Sequence, residues 1–240
     1  MALPKLNVPV FETVLPSTEK VIKYRPFLVK EEKILLTALE DDSGASLPPA
    51  IKQIINNCVQ GKLDVDKLPT FDIEYLFLRL RAKSVGEVVT LGLKPWGCPN
   101  NDGKLCSNST SVEIDLEKVK VHKKKTHSTK IKINDDIGVI MKYPDIGSLS
   151  TMGKDDTETG MDILKNSIEM IFTKDETHER NSFTDKELDE FFDSLNSKQF
   201  QKLKEFFDDM PVLKHTVKYK CETCGEEKET TLQGLNSFFG

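Results

Sequence analysis

Hydrophobic and polar positions along the first part of the chain read as extended structure followed by helix. Prolines at 4, 9 and 16 exclude an early helix. Val8–Leu15, a turn at Pro16–Glu19 and Lys20–Tyr24 predict strand, turn and strand, with Pro26 ending the hairpin. Helical periodicity then takes over. Lys30–Glu40 predicts a short helix, Asp41–Ser46 a loop, and residues 50–59 a second helix whose first turn tolerates Pro48 and Pro49. A third helix is expected after Thr70, whose hydroxyl can cap first-turn amides. Phe71, Tyr75, Leu78 and Ala82 would share a stripe widened by Leu76 and Leu80, and Arg79, Arg81 and Lys83 would complement the C-terminal dipole. Gly86 closes this region.

Alternation of period two returns at Glu87–Leu93 and Ser111–Leu116, and again at Leu213–Tyr219 and Lys228–Leu232. Between these hairpins, Lys130–Ile133 and Ile137–Lys142 predict strands. Gly147–Gly160 reads as a mobile loop, and Asp162–Phe172 as a helix burying Ile163, Leu164, Ile168 and Ile171. Thr184-Asp-Lys-Glu187 is a capping box opening a helix to about Ser194. Ser197 is expected to cap another over Lys198–Asp209, stopped by Pro211. Phe191, Phe192, Leu195, Phe200, Leu203, Phe206 and Phe207 make this pair aromatic, as core or as an exposed docking edge. Together the elements predict an α+β fold. Residues 1–86 hold an N-terminal arm, a β-hairpin and helices. Residues 87–120 and 212–240 form a discontinuous zinc-ribbon-like β unit, and residues 121–211 an insertion with strands and an acidic, aromatic-rich helical pair.

Four of the five cysteines carry the main candidate chemistry. Cys98 and Cys106 lie in one turn-rich segment and Cys221 and Cys224 in Cys-Glu-Thr-Cys-Gly, each between β-prone runs. A tetrahedral zinc site wants four thiolates at about 2.3 Å, and a tight turn supplies two at once. Structural Zn2+, one per chain, is therefore expected on Cys98, Cys106, Cys221 and Cys224. Disulfides are the competitor, but the first residues lack the charged start and apolar core of a signal peptide, which points to a reducing compartment. A redox role would want Cys-x-x-Cys entering a helix, whereas Cys221 follows a strand-like run, and Glu222, Glu226 and Glu227 oppose a low thiolate pKa. Inert thiols are the remaining alternative, because the Cys98–Cys106 spacing exceeds the usual two to four or so residues. Cys58 reads as an ordinary buried cysteine.

At 240 residues with a formal charge of −5, the chain can bury a real core and does not have the balance of a general nucleic-acid or anionic-membrane binder. No stretch approaches the roughly eighteen apolar residues of a membrane span. Lys118–Lys132 holds seven lysines, two histidines and no acid, while Lys174–Asp209 holds eleven acids against six bases. The basic run reads as a solvated loop, or as a contact surface for an acidic partner or nucleic acid. Asp175–Glu187 imitates a calcium loop, but Arg180 at the fifth position and Asn181 at the sixth defeat the geometry. No nucleophile elbow, phosphate loop or His-Glu-x-x-His motif is present. A zinc held by four cysteines has no open position for chemistry. The expectation is a binding or assembly protein and no enzyme.

Several segments also carry a resemblance. Met1–Pro9, Thr13-Val-Leu-Pro-Ser-Thr18, Lys23–Leu36 (Lys-Tyr-Arg-Pro-Phe-Leu-Val-Lys-Glu-Glu-Lys-Ile-Leu-Leu), Phe71–Gly86 and Leu195–Pro211 resemble the baseplate hub subunit and hub assembly proteins of T-even-type contractile-tailed phages. The resemblance implies a hub component or a factor required to assemble it, located in the virion tail baseplate or in host cytoplasm during assembly. It implies other baseplate, hub or tail proteins as partners, with self-association and without a membrane. A zinc-ribbon nucleic-acid-binding regulator is the alternative. The apolar arm at residues 1–10 is expected to contact another hub protein or a second copy.

Overall fold

A computed structural model describes residues 6–41, 45–94, 109–145 and 156–238. The chain divides into two compact units. Unit 1 comprises residues 1–65, 71–122 and 212–240, and unit 2 comprises residues 66–70 and 123–211. Short antiparallel sheets and helices in both make the fold α+β.

Unit 1 opens with the hairpin β1 (Phe11–Val14) and β2 (Val21–Tyr24), paired from Phe11↔Tyr24 to Val14↔Val21. Helices α1 (Val29–Leu39) and α2 (Leu47–Cys58) follow, and the two-residue β3 (Val59–Gln60) completes the order β1-β2-β3. Pro48 and Pro49 occupy the first turn of α2, where the missing amides cost little. Helix α3 (Thr70–Ser84) is buried nearly all round rather than along one stripe. Its polar residues explain why. The Asp72 carboxylate accepts the Ser17 amide at 3.1 Å and the Ser17 hydroxyl, fixing the β1–β2 turn. Glu74 accepts the Leu235 amide at 3.2 Å. The Arg79 guanidinium donates to the Leu116 carbonyl at 3.0 Å, the Val119 carbonyl at 2.5 Å and the Glu117 carboxylate at 2.9 Å, over the Tyr75 ring. Such charge-assisted bonds offset the cost of burying these groups, although the Arg79 Nε itself has no hydrogen-bond partner among the described residues. Glu31, fully buried, accepts the Leu28 amide at the start of α1 and Arg25 at 3.0 Å.

The predicted cysteine-bearing hairpins form as β4 (Val88–Leu93) with β5 (Thr110–Asp115), and β11 (Val212–Lys220) with β12 (Glu227–Gln233). They lie in separate sheets among the described residues, since β11 also pairs with β6 (Lys120–His122) in the order β12-β11-β6.

Unit 2 is a four-stranded antiparallel sheet in the order β10-β9-β8-β7, from β7 (Lys130–Lys132), β8 (Gly138–Met141), β9 (Ile168–Phe172) and β10 (Thr177–Glu179). Helices α4 (Asp156–Asn166), α5 (Asp185–Asp193) and α6 (Ser197–Asp208) accompany it. Ile133, Val139, Met141, Leu164, Ile168, Leu188, Phe192, Leu203 and Phe206 form the core. Each such side chain contributes about 1.5–3 kcal/mol by leaving water. Gly138 faces Phe172 in register, and a β-carbon there would stand 2.2 Å from the ring, so glycine is required for the ring to lie over the strand.

Four expectations change. Residues 168–172 are strand β9, not the end of a helix, because the β-branched and aromatic run pairs with β8 and β10; α4 itself starts at Asp156, ahead of Asp162. The part of Gly147–Gly160 before Asp156 lies outside the described residues. Asn196, not Ser197, caps α6, accepting the Gln199 amide at 3.0 Å while Gln199 accepts the Asn196 amide. Thr70 is the first residue of α3, and its hydroxyl donates to the Pro144 carbonyl at 3.1 Å instead of capping. The lysine run opens with a strand that was not expected, β6, while β7 at its other end falls within the predicted Lys130–Ile133 strand.

Candidate metal centre

The knuckle at Cys221 is built by the end of one strand and the start of the next. Strand β11 ends at Lys220, the Cys221 amide donates to the Glu226 carbonyl at 2.9 Å, and the Gly225 amide donates to the Cys221 carbonyl at 2.8 Å. Gly225 sits at φ +73°, the left-handed turn position that glycine accepts without a β-carbon penalty. Cys221 is buried, Cys224 is half-buried, and the two pack against each other. The local sequence therefore dictates a reversal that brings two sulfurs together at the tip of a hairpin.

Two hydrogen bonds fasten this knuckle to the other cysteine-bearing hairpin within unit 1. The Glu222 amide donates to the Thr110 hydroxyl at 3.3 Å, and the Ser111 amide donates to the Glu222 carboxylate at 3.2 Å. Thr110 is buried and pairs with Leu93 where β4–β5 leads into its connecting segment. The segment between those paired residues holds Cys98 and Cys106, which lie outside the described residues. Among the described residues, no group of three or more His, Cys, Asp or Glu side chains could hold a metal ion. The knuckle's acids are partly balanced locally: Lys228 pairs with Glu226 at 3.2 Å and Lys220 with Glu227 at 3.5 Å. Cys58 sits apart in α2, buried, and desolvation pushes its thiol up to about 11, with Arg25 opposing. Such a thiol is a poor source of thiolate.

The basic run is partly paired at the surface. Lys118 pairs with Asp115 at 3.2 Å, Lys124 with Asp209, and Lys132 with Asp135 at 3.2 Å. His127 packs within 5.1 Å of the Phe206 ring centre and stacks on Tyr143, whose hydroxyl lies 3.0 Å from Nε2. Burial, then the charge of Lys123, lowers the His127 pKa, with Asp209 opposing. Nothing local announces these contacts, since the neighbours Thr126 and Ser128 are polar and the aromatic partners are distant in sequence. The Thr110–Glu222 contact was equally hidden. Of the aromatic helices, Phe192 and Phe206 are core, while Phe191, Phe200 and Phe207 are half-buried against it.

No described helix is long and apolar enough to cross a membrane. No curated protein matches the chain, and no solved structure does. A family model does match, over residues 8–240, which takes in nearly all of both units. The chain belongs to the T4 bacteriophage base plate protein family.

Proposed function

We propose that this baseplate protein is a structural component of the central hub, or a factor required to assemble it, and that it acts by protein–protein binding without catalysis. The observation that carries the binding role is the surface of α1, where Val29, Leu36 and Leu39 stay exposed beside Leu28. An apolar helical stripe of this kind marks contact with another protein. Two of the segments that resemble hub proteins, Lys23–Leu36 and Phe71–Gly86, include parts of α1 and α3. Baseplate and tail proteins are the partners. Quantitative mass spectrometry of purified particles and of tail intermediates tests this. A stoichiometric amount in both assigns a hub component; presence only in intermediates assigns an assembly factor; absence from both overturns the reading. Ion pairing of Lys118, Lys124 and Lys132 weighs against the nucleic-acid regulator. Submicromolar, steeply salt-dependent binding abolished by replacing Lys123, Lys124 and Lys125 would reverse that judgement.

The same reading assigns one structural Zn2+ to Cys98, Cys106, Cys221 and Cys224. Its support is the knuckle and the two hydrogen bonds joining it to the hairpin whose connecting segment holds the other pair. Elemental analysis should give about one zinc per chain. Alkylation should leave four thiols protected until a chelator is added. Cys58→Ser should not change zinc content, whereas Cys221→Ser should abolish it and loosen both hairpins together. A metal-free, folded chain whose four thiols react at once overturns the assignment.

A further inference from the structure

Strand β1 is the edge of its sheet, pairing with β2 alone among the described residues. The Leu15 amide donates to the Lys20 carbonyl at 2.9 Å. Antiparallel ladders alternate, so Thr13 and Phe11 also direct their main-chain groups at β2, while Glu12 and Val14 direct theirs away from the sheet. The same alternation governs side chains. Leu15 is buried and Phe11 and Thr13 are half-buried, whereas Val10 and Val14 are each 48% exposed and Val21, opposite Val14, is 59% exposed. Upstream, Val8 is half-buried and Leu6 is 90% exposed. Continuing the β1–β2 register sets Pro9 opposite Pro26. Two residues without amide donors end that ladder, and because Pro9 belongs to the set facing β2, the outward amides of Val8, Val10, Glu12 and Val14 are all in place.

Proteins normally guard such an edge with charge, proline or a covering element. Here Glu12 is its sole charge, already beside Lys23 at 3.3 Å. The edge is its own complement. We propose that two copies of the chain pair antiparallel along β1 about a two-fold axis at Phe11, merging their three-stranded sheets into one of six strands. This rests on the reading that the chain acts by protein–protein binding, and it names a second copy as the partner. In this register Val10 meets the partner's Glu12 and Val8 meets the partner's Val14, giving about eight main-chain hydrogen bonds. Phe11 faces its own counterpart. Moving the axis to Glu12 would set two carboxylates directly opposite, a destabilising pair. Moving it to Thr13 would set Val10 against Pro16, which has no amide to give. A closed two-fold contact also leaves no free edge for further growth.

Light scattering of the full-length purified chain should give twice the subunit mass. Val10→Pro removes an outward amide and should weaken the dimer about tenfold or more, through two symmetry-related losses. Val10→Glu keeps the amide, sets a second carboxylate opposite the partner's Glu12 and should act in the same direction, so the idea stays testable should the proline variant fail to fold. Phe11→Cys should give a disulfide-linked dimer on oxidation, because facing non-hydrogen-bonded residues stand about 4.5 Å apart at Cα. Glu12→Cys and the unmodified chain should not. A monomeric chain, a dimer indifferent to both Val10 variants, or the absence of a Phe11→Cys crosslink overturns the proposal. A monomer whose β1 edge captures a strand of another tail protein overturns it in favour of that partner. Incorporation into particles, measured separately, reports on hub membership whichever way the dimer falls.

Discussion

In unit 1 the interior holds Glu31, Asp72 and Arg79 among its apolar side chains, whereas unit 2 encloses an apolar and aromatic cluster and keeps charge in surface pairs such as Lys174–Asp136. The two have different tasks. Unit 1 gathers segments far apart in sequence: Asp72 reaches Ser17 and Glu74 reaches Leu235. Its first hairpin has only four residues per strand, which leaves register weakly specified by ladder bonds alone. Directional bonds to buried carboxylates and a guanidinium select one arrangement where apolar contact would accept several. Unit 2 stacks neighbouring strands beneath capped helices, so burial of Leu203, Phe206 and their neighbours is enough. Buried charge is thus a device of topology here and not a general requirement of the fold.

The sharpest test of that contrast exchanges each unit's characteristic group. Arg79→Leu should cost about 3–5 kcal/mol, because it strands the Leu116 and Val119 carbonyls without their donor. Phe206→Leu should cost about 1–1.5 kcal/mol, as a modest change within an apolar core. Urea unfolding measures both, and equal costs would break the comparison.

Mild acid should separate the units next. Because the His127 pKa lies below its ordinary 6.5 in the folded chain, the associated stability is present above the unfolded value and lost as pH falls through the folded one. Between pH 7 and 5, unit 2 should lose protection from hydrogen exchange by up to about 1.4 kcal/mol per pH unit for that one proton. In unit 1, burial raises Asp72 and Glu74, so their contribution runs the other way, gained on acidification and lost as pH rises through their folded values. Burial alone would raise Glu31 too, but the Arg25 hydrogen bond, the Leu28 amide and the nearby charges hold it low. Its contribution is lost only as pH falls into and below the carboxylate range. Unit 1 should therefore hold while unit 2 loosens, and His127→Phe should abolish the difference. Opening of unit 1 first would contradict the assignment.

Smaller effects sharpen the picture. Thr184→Ala removes the side chain that accepts the Glu187 amide at 3.3 Å and should cost about 1 kcal/mol. Lys174→Ala, in an exposed pair with Asp136, should cost well under about 1 kcal/mol. A larger loss there would mean that unit 2 also relies on its charges.

Local signals in the sequence were dependable where they were self-contained. The β1–β2 hairpin, the prolines opening α2, the Thr184 capping box and the strand–turn–strand pattern around Cys221 needed only neighbouring residues. Ile168–Phe172 was misread because its apolar spacing fits a helix as well as a buried strand, and pairing with Gly138–Met141 settles it. Arg79 read as a cation complementing the C-terminal dipole of α3, and Asp72 and Glu74 lay outside its expected apolar stripe. What makes them interior residues is the arrival of Ser17, Leu235 and Leu116–Val119, which no local pattern announces. At the candidate metal centre, both cysteine pairs were legible from spacing and turn residues, but the Thr110–Glu222 link was not, because its partners are 112 residues apart.

Gly138 and Phe172 bear on how this chain can vary over time. The ring occupies the volume that any side chain at position 138 would need. Alanine at 138 becomes acceptable only after the aromatic at 172 has been trimmed, and trimming 172 first leaves a bare glycine strand with its neighbour Lys130 deprived of the ring beneath its ammonium group. Each single step is worse than either end point. The two positions are therefore coupled by history as well as by contact, and among related chains they are expected to change as a pair.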